Sequence, residues 1–399
     1  MESLKAGLGL APLNIDGWPE TKDGTPLVAR CLVLDDGHTR LGIVSATVIE
    51  MCRAEVALVR QAVSAASGLP VGHILFACTH VHSGPPTFSG DGKVRQALAQ
   101  QVARAAADAA CAASALQPVR LGWATDHLPG VSRVRRILRR DGNVVTLRRA
   151  WPQYWGWATD PQTVGPEEPL DDRLTVLRIE DLDGHLVGAV MHFTCHPIPD
   201  FFGYAARMVE QALPGAVCLI LNGCSGSVDT PFEIPMRGKT QAGQLPILGD
   251  ILGHRTLELL ARAEAADHVR LGVAGRPVFL PLDPRFVEKP DSRAGMWAEA
   301  IRRRGFDTEV QCLAMGDVAF AGVPGEAQVG FGREIEKVSP FRLTRAIGIA
   351  NDECGYLLTE EARARGGYEA DPQLWGVVTG QGLPRILSAI AGCLAELKP

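Results

Sequence analysis

The chain has 399 residues, 46% of them hydrophobic, which is enough to bury a large core. Its 40 basic and 45 acidic residues give a net charge of −5, which argues against broad nucleic-acid binding, because neutralising phosphates requires a basic surface. The sequence contains no run of about 18 uncharged apolar residues, so no membrane-spanning helix is expected.

Apolar runs that read as strands alternate with stretches of helical spacing along the chain. The predicted strands are residues 27–33, 40–46, 73–78, 175–179, 186–193, 217–221, 311–314 and 318–322. The predicted helices are residues 54–66, 93–115, 249–263 and 383–397. Because β hairpins and βα steps are mixed, the pattern predicts an α/β protein with mixed β-sheets layered with helices. No internal repeat is evident.

The least regular stretch is residues 150–171, which is rich in Trp and Pro. A disordered linker would be poor in aromatic residues, so a loop packed over the body or over a site fits better. Trp151, Trp155 and Trp157 would then either line an apolar substrate entrance or simply pack the loop.

The ten cysteines and the N-terminus indicate a reducing compartment. The cysteines form no CxxC pair and lie mostly in apolar segments, as buried thiols do. The first residues have neither a basic start nor an apolar core of signal-peptide length. We therefore expect a cytoplasmic protein; a homo-oligomer is compatible with the sequence.

Polar clusters follow several of the predicted strands, where α/β proteins tend to place their sites. His80 and His82 are two residues apart, so on an extended strand end both rings would point to one face and could bind a metal, or both could be ordinary hydrogen-bonded loop histidines. His196 precedes a proline, which biases it towards an extended conformation, and it could equally be structural. Glu326 could cap a helix starting near residue 327, and Tyr356 could be a packing aromatic.

Other candidates near these clusters have a structural interpretation that is at least as simple. The dense basic run of Arg133, Arg135, Arg136, Arg139 and Arg140 is typical of a solvated face. Asp352 and Glu353 could support a metal ligand or form an exposed acidic turn. The cysteines that flank the clusters are interpreted as small packing residues, namely Cys78, Cys195, Cys224 and Cys354.

Taken together and in order, the motifs THVHSGP, CHP, NGCSGSVD, PGE, GYLLT and GGYEA resemble the neutral ceramidase family. These are zinc-dependent amidases that cleave the N-acyl bond of ceramide, and the resemblance runs from Ala6-Gly7 to the GGYEA segment near residue 370. It implies a Zn²⁺ ion bound by His80, His196 and Glu326, with Tyr356 on or near the metal.

The resemblance also implies catalytic roles for residues beside the metal. His82 matches the second histidine of the HxHSG motif and is a plausible proton shuttle, and Tyr356 could contact the oxyanion. Arg135 best matches a substrate-contacting arginine, but Val134 replaces the asparagine that precedes it in the family. The choice among Arg133, Arg135 and Arg136 therefore stays open.

Two departures from the family bear on the substrate. The family's turn Gly-Asp-x-Ser or Gly-Asp-x-Asn reads Gly-Ser-x-Asp here, with Ser227 and Asp229, and Ser225 lacks the GxSxG context of a serine nucleophile. The larger ceramidases carry an additional C-terminal β domain and often a secretory signal; residues 1–399 are expected to form one zinc hydrolase domain without them.

The predicted function is therefore zinc-dependent hydrolysis of an amide bond in a small or lipid-like substrate, by a metal-activated water. The alternatives are a metal-dependent esterase, a cyclic-amide hydrolase or a lyase on the same scaffold. A catalytically silent binding protein is a further alternative, although all four implied ligand residues are present.

Overall fold

The computed structural model describes residues 3–86, 91–148, 156–231, 241–290 and 295–398, and for residues 241–244 it describes the backbone only. Its strands are β1 Lys5–Pro12, β2 Val28–Asp35, β3 Arg40–Ala46, β4 Ile74–Cys78, β5 Gln117–His127, β6 Arg133–Val134, β7 Arg136–Arg139, β8 Val144–Thr146, β9 Thr163–Pro166, β10 Arg173–Asp181, β11 Leu186–Phe193, β12 Val217–Asn222, β13 Val228–Asp229, β14 Glu264–Ala266, β15 Leu271–Pro281, β16 Gly305–Met315, β17 Val318–Gly322, β18 Glu326–Ala327, β19 Leu343–Ile347 and β20 Tyr356–Leu357. Its helices are α1 Arg53–Ser67, α2 Gly92–Ala113, α3 Phe201–Ala212, α4 Gln241–Arg262, α5 Pro284–Glu288, α6 Ala298–Arg303, α7 Gly330–Val338, α8 Glu360–Ala364 and α9 Gly382–Glu396.

Two sheets dominate the fold. The larger has the strand order β12-β11-β10-β5-β1-β2-β3-β4, with β14 also paired to β5, and the smaller has the order β15-β16-β17-β19. Only two residue pairs join β1 to β5, so the larger sheet divides into two halves that share one apolar core with the four-stranded sheet. Both parallel and antiparallel pairs occur, and the prediction of mixed sheets in an α/β domain is confirmed.

Each sheet face that turns away from the shared core is covered by helices. Helices α1 and α2 pack on the half formed by β1–β4, and α3 and α4 pack on the half formed by β5 and β10–β12. Helix α9 covers β15 and β16. Alternation along the strands produces this division: in β3, Leu41 and Ile43 face the shared core while Val44 and Ala46 face the helices. Within the described ranges, no helix has both the length and the apolar character needed to span a bilayer.

Within the described residues the same ββαβ unit occurs three times, which the sequence did not indicate. The first unit is β2-β3-α1-β4, the second is β10-β11-α3-β12, and the third is β16-β17-α7-β19. In each unit the first two strands are antiparallel and the third strand is parallel to the second. The three units share a topology, whereas no repeat is evident in the sequence. A unit of this kind needs only a pattern of buried positions, so its copies need not share sequence.

The irregular stretch at 150–171 lies partly outside the described residues, which exclude Trp151 and Trp155. Its described part contains the strand β9, which pairs with β7, so the loop prediction is wrong there. Trp157 lies on a short 3₁₀ helix and lines a surface cavity together with Arg133 and Glu167.

One buried histidine of the shared core has a strongly shifted pKa. His192 lies on β11, and its Nε2–H donates to the carbonyl of Ala346 at 2.7 Å. Nδ1 has no hydrogen-bond partner among the described residues. Burial, and then the positive charge of Arg345, lower the pKa of His192 from 6.5 to about 4. The ring is therefore neutral in the folded protein at physiological pH.

We expect His192 to make folding sensitive to mild acid. The unfolded chain binds a proton near pH 6.5 and the folded chain only near pH 4, so the stability is complete above pH 6.5 and falls as the pH decreases towards 4. The loss is on the order of 3 kcal/mol. His192→Gln retains a donor for Ala346 but cannot titrate, so its urea unfolding free energy should fall less between pH 7 and pH 4.5 than that of the wild type. The matched control is His185→Gln, because His185 is exposed on the turn that precedes β11; equal pH slopes for the wild type and both variants would contradict the prediction.

Candidate metal centre

His80 follows β4 and is fixed by the loop after β3. Its main-chain N–H donates to the carbonyl of Val48 at 3.0 Å, and its ring Nδ1 donates to the carbonyl of Ile49 at 2.9 Å. Its φ is +67°, so the predicted extended conformation of the THVH segment is wrong at this residue. Because Nδ1 carries the proton, Nε2 presents its lone pair, which is the arrangement found for metal-binding histidines.

His196 follows β11 and is oriented in the same way. Its Nδ1 lies 2.8 Å from the carbonyl oxygens of both Ser225 and Val228, which belong to the polar turn after β12. Two carbonyls can only accept, so Nδ1 carries the proton and Nε2 is again left with a lone pair. The main-chain carbonyls of the NGCSGSVD motif therefore orient the ring of His196.

Glu326 lies between the two histidines. Its Oε2 is 3.2 Å from Nε2 of His80 and 3.0 Å from Nε2 of His196. Among the described residues, neither Glu326 Oε2 nor His196 Nε2 has a hydrogen-bond partner of acceptable geometry. Two nitrogen lone pairs and a carboxylate oxygen that meet in a buried space match the His₂Glu ligand set of catalytic zinc, so these residues fit a metal ion. The alternative of a helix cap for Glu326 is wrong, because it lies on β18 and α7 begins only at Gly330.

The charges of this group perturb one another strongly. Burial opposes ionisation of Glu326, but His80 and His196 hold the pKa of this carboxyl well below its usual range. Burial also opposes protonation of His80, yet Glu326 outweighs it and raises the pKa. At His196, burial and the nearby guanidinium of Arg135 lower the pKa instead. The centre thus favours an ionised carboxylate beside a neutral His196, as metal binding requires.

His82 is the exposed histidine of the group. Its Nε2 lies 3.2 Å from Nε2 of His80, and the ligand nitrogens of His80, His82 and His196 all lie within 4.8 Å of one another. Its position suits either a proton shuttle or a third nitrogen ligand.

Tyr356 and Arg135 form a pair beside the carboxylate. Strand β20 runs parallel to β18 with Tyr356 opposite Glu326, which directs the phenol into the centre. Arg135 Nη2 donates to the Tyr356 hydroxyl at 3.0 Å and to the carbonyl of Gly226 at 2.8 Å. Burial, and then Glu326, raise the pKa of Tyr356 well above its usual value. The neutral hydroxyl accepts from Arg135 and keeps its own hydrogen for donation.

The basic run is not a solvated face at its centre. Arg135 is 3% and Arg136 0% exposed, and both donate to Glu369, which is itself fully buried. Arg133 donates to the carbonyl of Thr230 instead. The prediction of a solvated face is wrong for Arg135 and Arg136, because buried acids from distant segments neutralise them. Of the three candidate arginines, Arg135 is the one that lines the central cavity.

The centre opens into a cavity of about 360 Å³. Most of the side chains around it are polar or charged, with a few apolar ones at its wall. The described lining residues are Ile49, Glu50, His80, His82, Arg135, Arg148, His196, Ile198, Asp229, Glu326, Tyr356, Tyr368 and Trp375.

Sequence reasoning missed Glu50 and Glu369. Glu50 lines the cavity and is 3% exposed, but it belongs to no motif. Burial, partly offset by Arg95, raises the pKa of Glu50 to about 7. Glu369 lies within the recognised GGYEA segment, which is the signal that could have identified it.

The acidic turn and the flanking cysteines are buried. Asp352 and Glu353 are 4% and 0% exposed, so an exposed acidic turn is wrong. The pKa of Glu353 is raised by burial and then by Glu326, which places this carboxyl near the centre. The four flanking cysteines are buried free thiols, as expected for packing residues.

These features define a mixed α/β protein with a buried histidine–carboxylate centre at the carboxyl ends of its strands. No protein-family model matches the chain, and no curated protein matches it in sequence. Solved structures that are similar over the whole chain include two ceramidases. A neutral ceramidase from Pseudomonas aeruginosa has a TM-score of 0.74 at 18% identity, and a ceramidase complexed with C2 has a TM-score of 0.72 at 18% identity. Each match covers 100% of this chain and 75% of the other. The chain therefore has the neutral ceramidase fold.

Proposed function

We propose that this protein is a zinc-dependent amidohydrolase in which residues 1–399 form one hydrolase domain. The observation that carries the proposal is the convergence of three side chains: His80 Nε2 and His196 Nε2 lie 3.2 and 3.0 Å, respectively, from Glu326 Oε2. The likeness to ceramidase structures supports amide hydrolysis as the reaction.

His80, His196 and Glu326 would bind the metal, with Tyr356 as a further ligand or as a donor to the oxyanion. When bound, Zn²⁺ polarises a carbonyl group and lowers the pKa of a bound water to about 7. The chain's own residues supply the rest of the chemistry. Because the Tyr356 hydroxyl oxygen accepts from Arg135, its own hydrogen is available to stabilise negative charge on the substrate oxygen. His82 passes a proton to the leaving nitrogen.

The size and lining of the cavity favour a small, polar amide over a long-chain one. About 360 Å³ is near the lower limit for small-molecule sites, and charged groups such as Asp229 and Arg148 lie along its wall. A long acyl chain needs an apolar channel instead. We therefore propose that N-acyl compounds with short acyl chains are better substrates than ceramide.

Metal analysis tests this proposal first. The purified protein should contain or regain about one zinc per chain, and it should hydrolyse members of a panel of N-acyl amides of graded chain length, assayed beside matched esters. His80→Ala should lose the metal and the activity together. His185→Ala is the matched control, because His185 belongs to an exposed Asp/His group on the surface. A protein that holds no zinc and regains none would end the hydrolase proposal, and a His80→Ala variant with full metal and activity would overturn the ligand assignment.

A further inference from the structure

The first ββαβ unit places a carboxylate where the other two units place proposed metal ligands. His196 lies three residues after the end of β11, and Glu326 lies four residues after the end of β17. Glu50 lies four residues after the end of β3, the equivalent strand of the first unit. The fold thus brings three equivalent loops to the same cavity, and Glu50 is the side chain that the first loop places there.

The loop that carries Glu50 is hydrogen-bonded to His80, one of the proposed metal ligands. The carbonyls of Val48 and Ile49 accept from the main chain and the ring of His80, respectively. The next side chain along, Glu50, lines the same cavity as His80 and Glu326. Its carboxylate is therefore held at the wall of the cavity and beside the centre.

Arg95, the basic neighbour of Glu50, has a second and closer carboxylate partner. Arg95 Nη1 lies 3.6 Å from Glu50 Oε1, but Arg95 makes its hydrogen bonds to Glu55, at 2.8 and 2.7 Å, and to Cys52 Sγ at 3.3 Å. Burial makes the Glu50 carboxylate costly; the charge of Arg95 offsets part of that cost, and the negative charges of Glu326 and Glu55 add to it. A carboxylate kept at such a cost beside a reaction centre indicates a chemical role.

We propose that Glu50 is a catalytic carboxylate that takes a proton from the water that attacks the substrate amide. This inference rests on the proposed hydrolase function. As the water oxygen bonds to the carbonyl carbon, its O–H bond breaks, the proton goes to Glu50, and the carbonyl π pair moves to oxygen. When that pair re-forms the C=O bond, the C–N bond breaks and nitrogen keeps its electron pair. The proton held by Glu50 reaches this nitrogen through His82, and Glu50 is again a carboxylate.

Glu50→Gln, Glu50→Ala and Glu50→Asp test the role. Glu50→Gln should retain about one zinc per chain and lose at least about 100-fold in kcat, the usual contribution of acid–base catalysis. Formate should restore part of the activity of Glu50→Ala, because a small carboxylate can occupy the vacated space. Glu50→Asp keeps the charge near Arg95 and should still lose about tenfold in kcat or more, because its carboxylate is withdrawn by one methylene.

An inhibitor-binding measurement, which needs no turnover, tests the role of Glu50 independently of the proposed hydrolase function. Acetohydroxamate binds zinc and gives its hydroxyl proton to a neighbouring carboxylate, so its affinity for zinc-loaded Glu50→Gln should fall by about tenfold or more. Glu210→Gln is the matched control, because Glu210 pairs with the buried Arg30 and does not line the cavity. It should bind acetohydroxamate as the wild type does.

The outcomes are distinct. A wild type without zinc or amidase activity refutes the proposed function. If the wild type is active and the Glu50 variants match it in kcat and in acetohydroxamate affinity, the role of Glu50 alone is refuted. A loss of kcat in Glu50→Ala without rescue by formate, together with unchanged acetohydroxamate affinity, also refutes it, because a merely structural role would give that result.

Discussion

Glu326→Gln is expected to empty the metal centre and to lower kcat/KM by more than about 100-fold. Even outer partners of metal ligands contribute about 10- to 100-fold to affinity or activity, and Glu326 is the proposed charged ligand itself. Its Oε2 is the atom that His80 and His196 share, at 3.2 and 3.0 Å. A glutamine has the same shape, but its amide group can donate to a histidine lone pair and so block the place of the metal.

The metal-free Glu326→Gln protein should nevertheless fold, because His80 and His196 can lose their protons once the carboxylate is gone, so that no unpaired charge stays buried. Zinc per chain by mass spectrometry, amide turnover and thermal unfolding with and without zinc measure the three effects. Added zinc should raise the melting temperature of the wild type but not that of the variant. The control is Glu334→Gln, an exposed glutamate on α7 that pairs with Lys337. Zinc binding of wild-type affinity in Glu326→Gln would show that the centre lies elsewhere.

Strands with unbroken apolar runs are among the elements that the sequence predicted correctly. Residues 217–221 and 318–322 became β12 and β17, because buried strands need apolar residues at every position. Strand β5 was missed because its exposed and half-buried positions give it no clear period. Helix α7 was missed because it begins Gly-Phe-Gly, which a sequence pattern does not favour as helix, yet packing of Phe331 and Ile335 stabilises it.

The centre itself was predictable as a set of side chains but not as a geometry. His80, His196 and Glu326 stand at the ends of predicted strands, and the structure brings them together. The left-handed conformation of His80 could not be read from the sequence, because it is imposed by its hydrogen bonds to the loop after β3. Glu50 was missed for a related reason: its importance arises from the equivalence of three loops that share a topology and no sequence motif.

Glu369→Gln is expected to lower the free energy of unfolding by about 3–5 kcal/mol, the usual cost of removing one partner from a buried ion pair. Glu369 Oε1 accepts from Arg135 Nε at 2.7 Å, and Oε2 accepts from Arg136 Nη1 at 2.9 Å and from Thr146 Oγ1 at 2.8 Å. Burial alone would raise the pKa of Glu369, but Arg135 and Arg136 lower it below the usual value, so the carboxylate is charged when it is replaced.

The Glu369→Gln substitution should also affect the candidate metal centre, because Glu369 positions Arg135. After the substitution, Arg136 still has Glu167, whereas the nearest remaining carboxylate to Arg135 among the described residues is that of Asp229, at 3.9 Å. Arg135 would then no longer be held against the Tyr356 hydroxyl, so kcat should fall while zinc content is unchanged. Glu361→Gln, the same change at an exposed glutamate that pairs with Arg365, should cost less than about 1 kcal/mol. Urea unfolding of the two variants compares them directly, and equal midpoints would mean that the Glu369 pairs contribute no more than a surface ion pair.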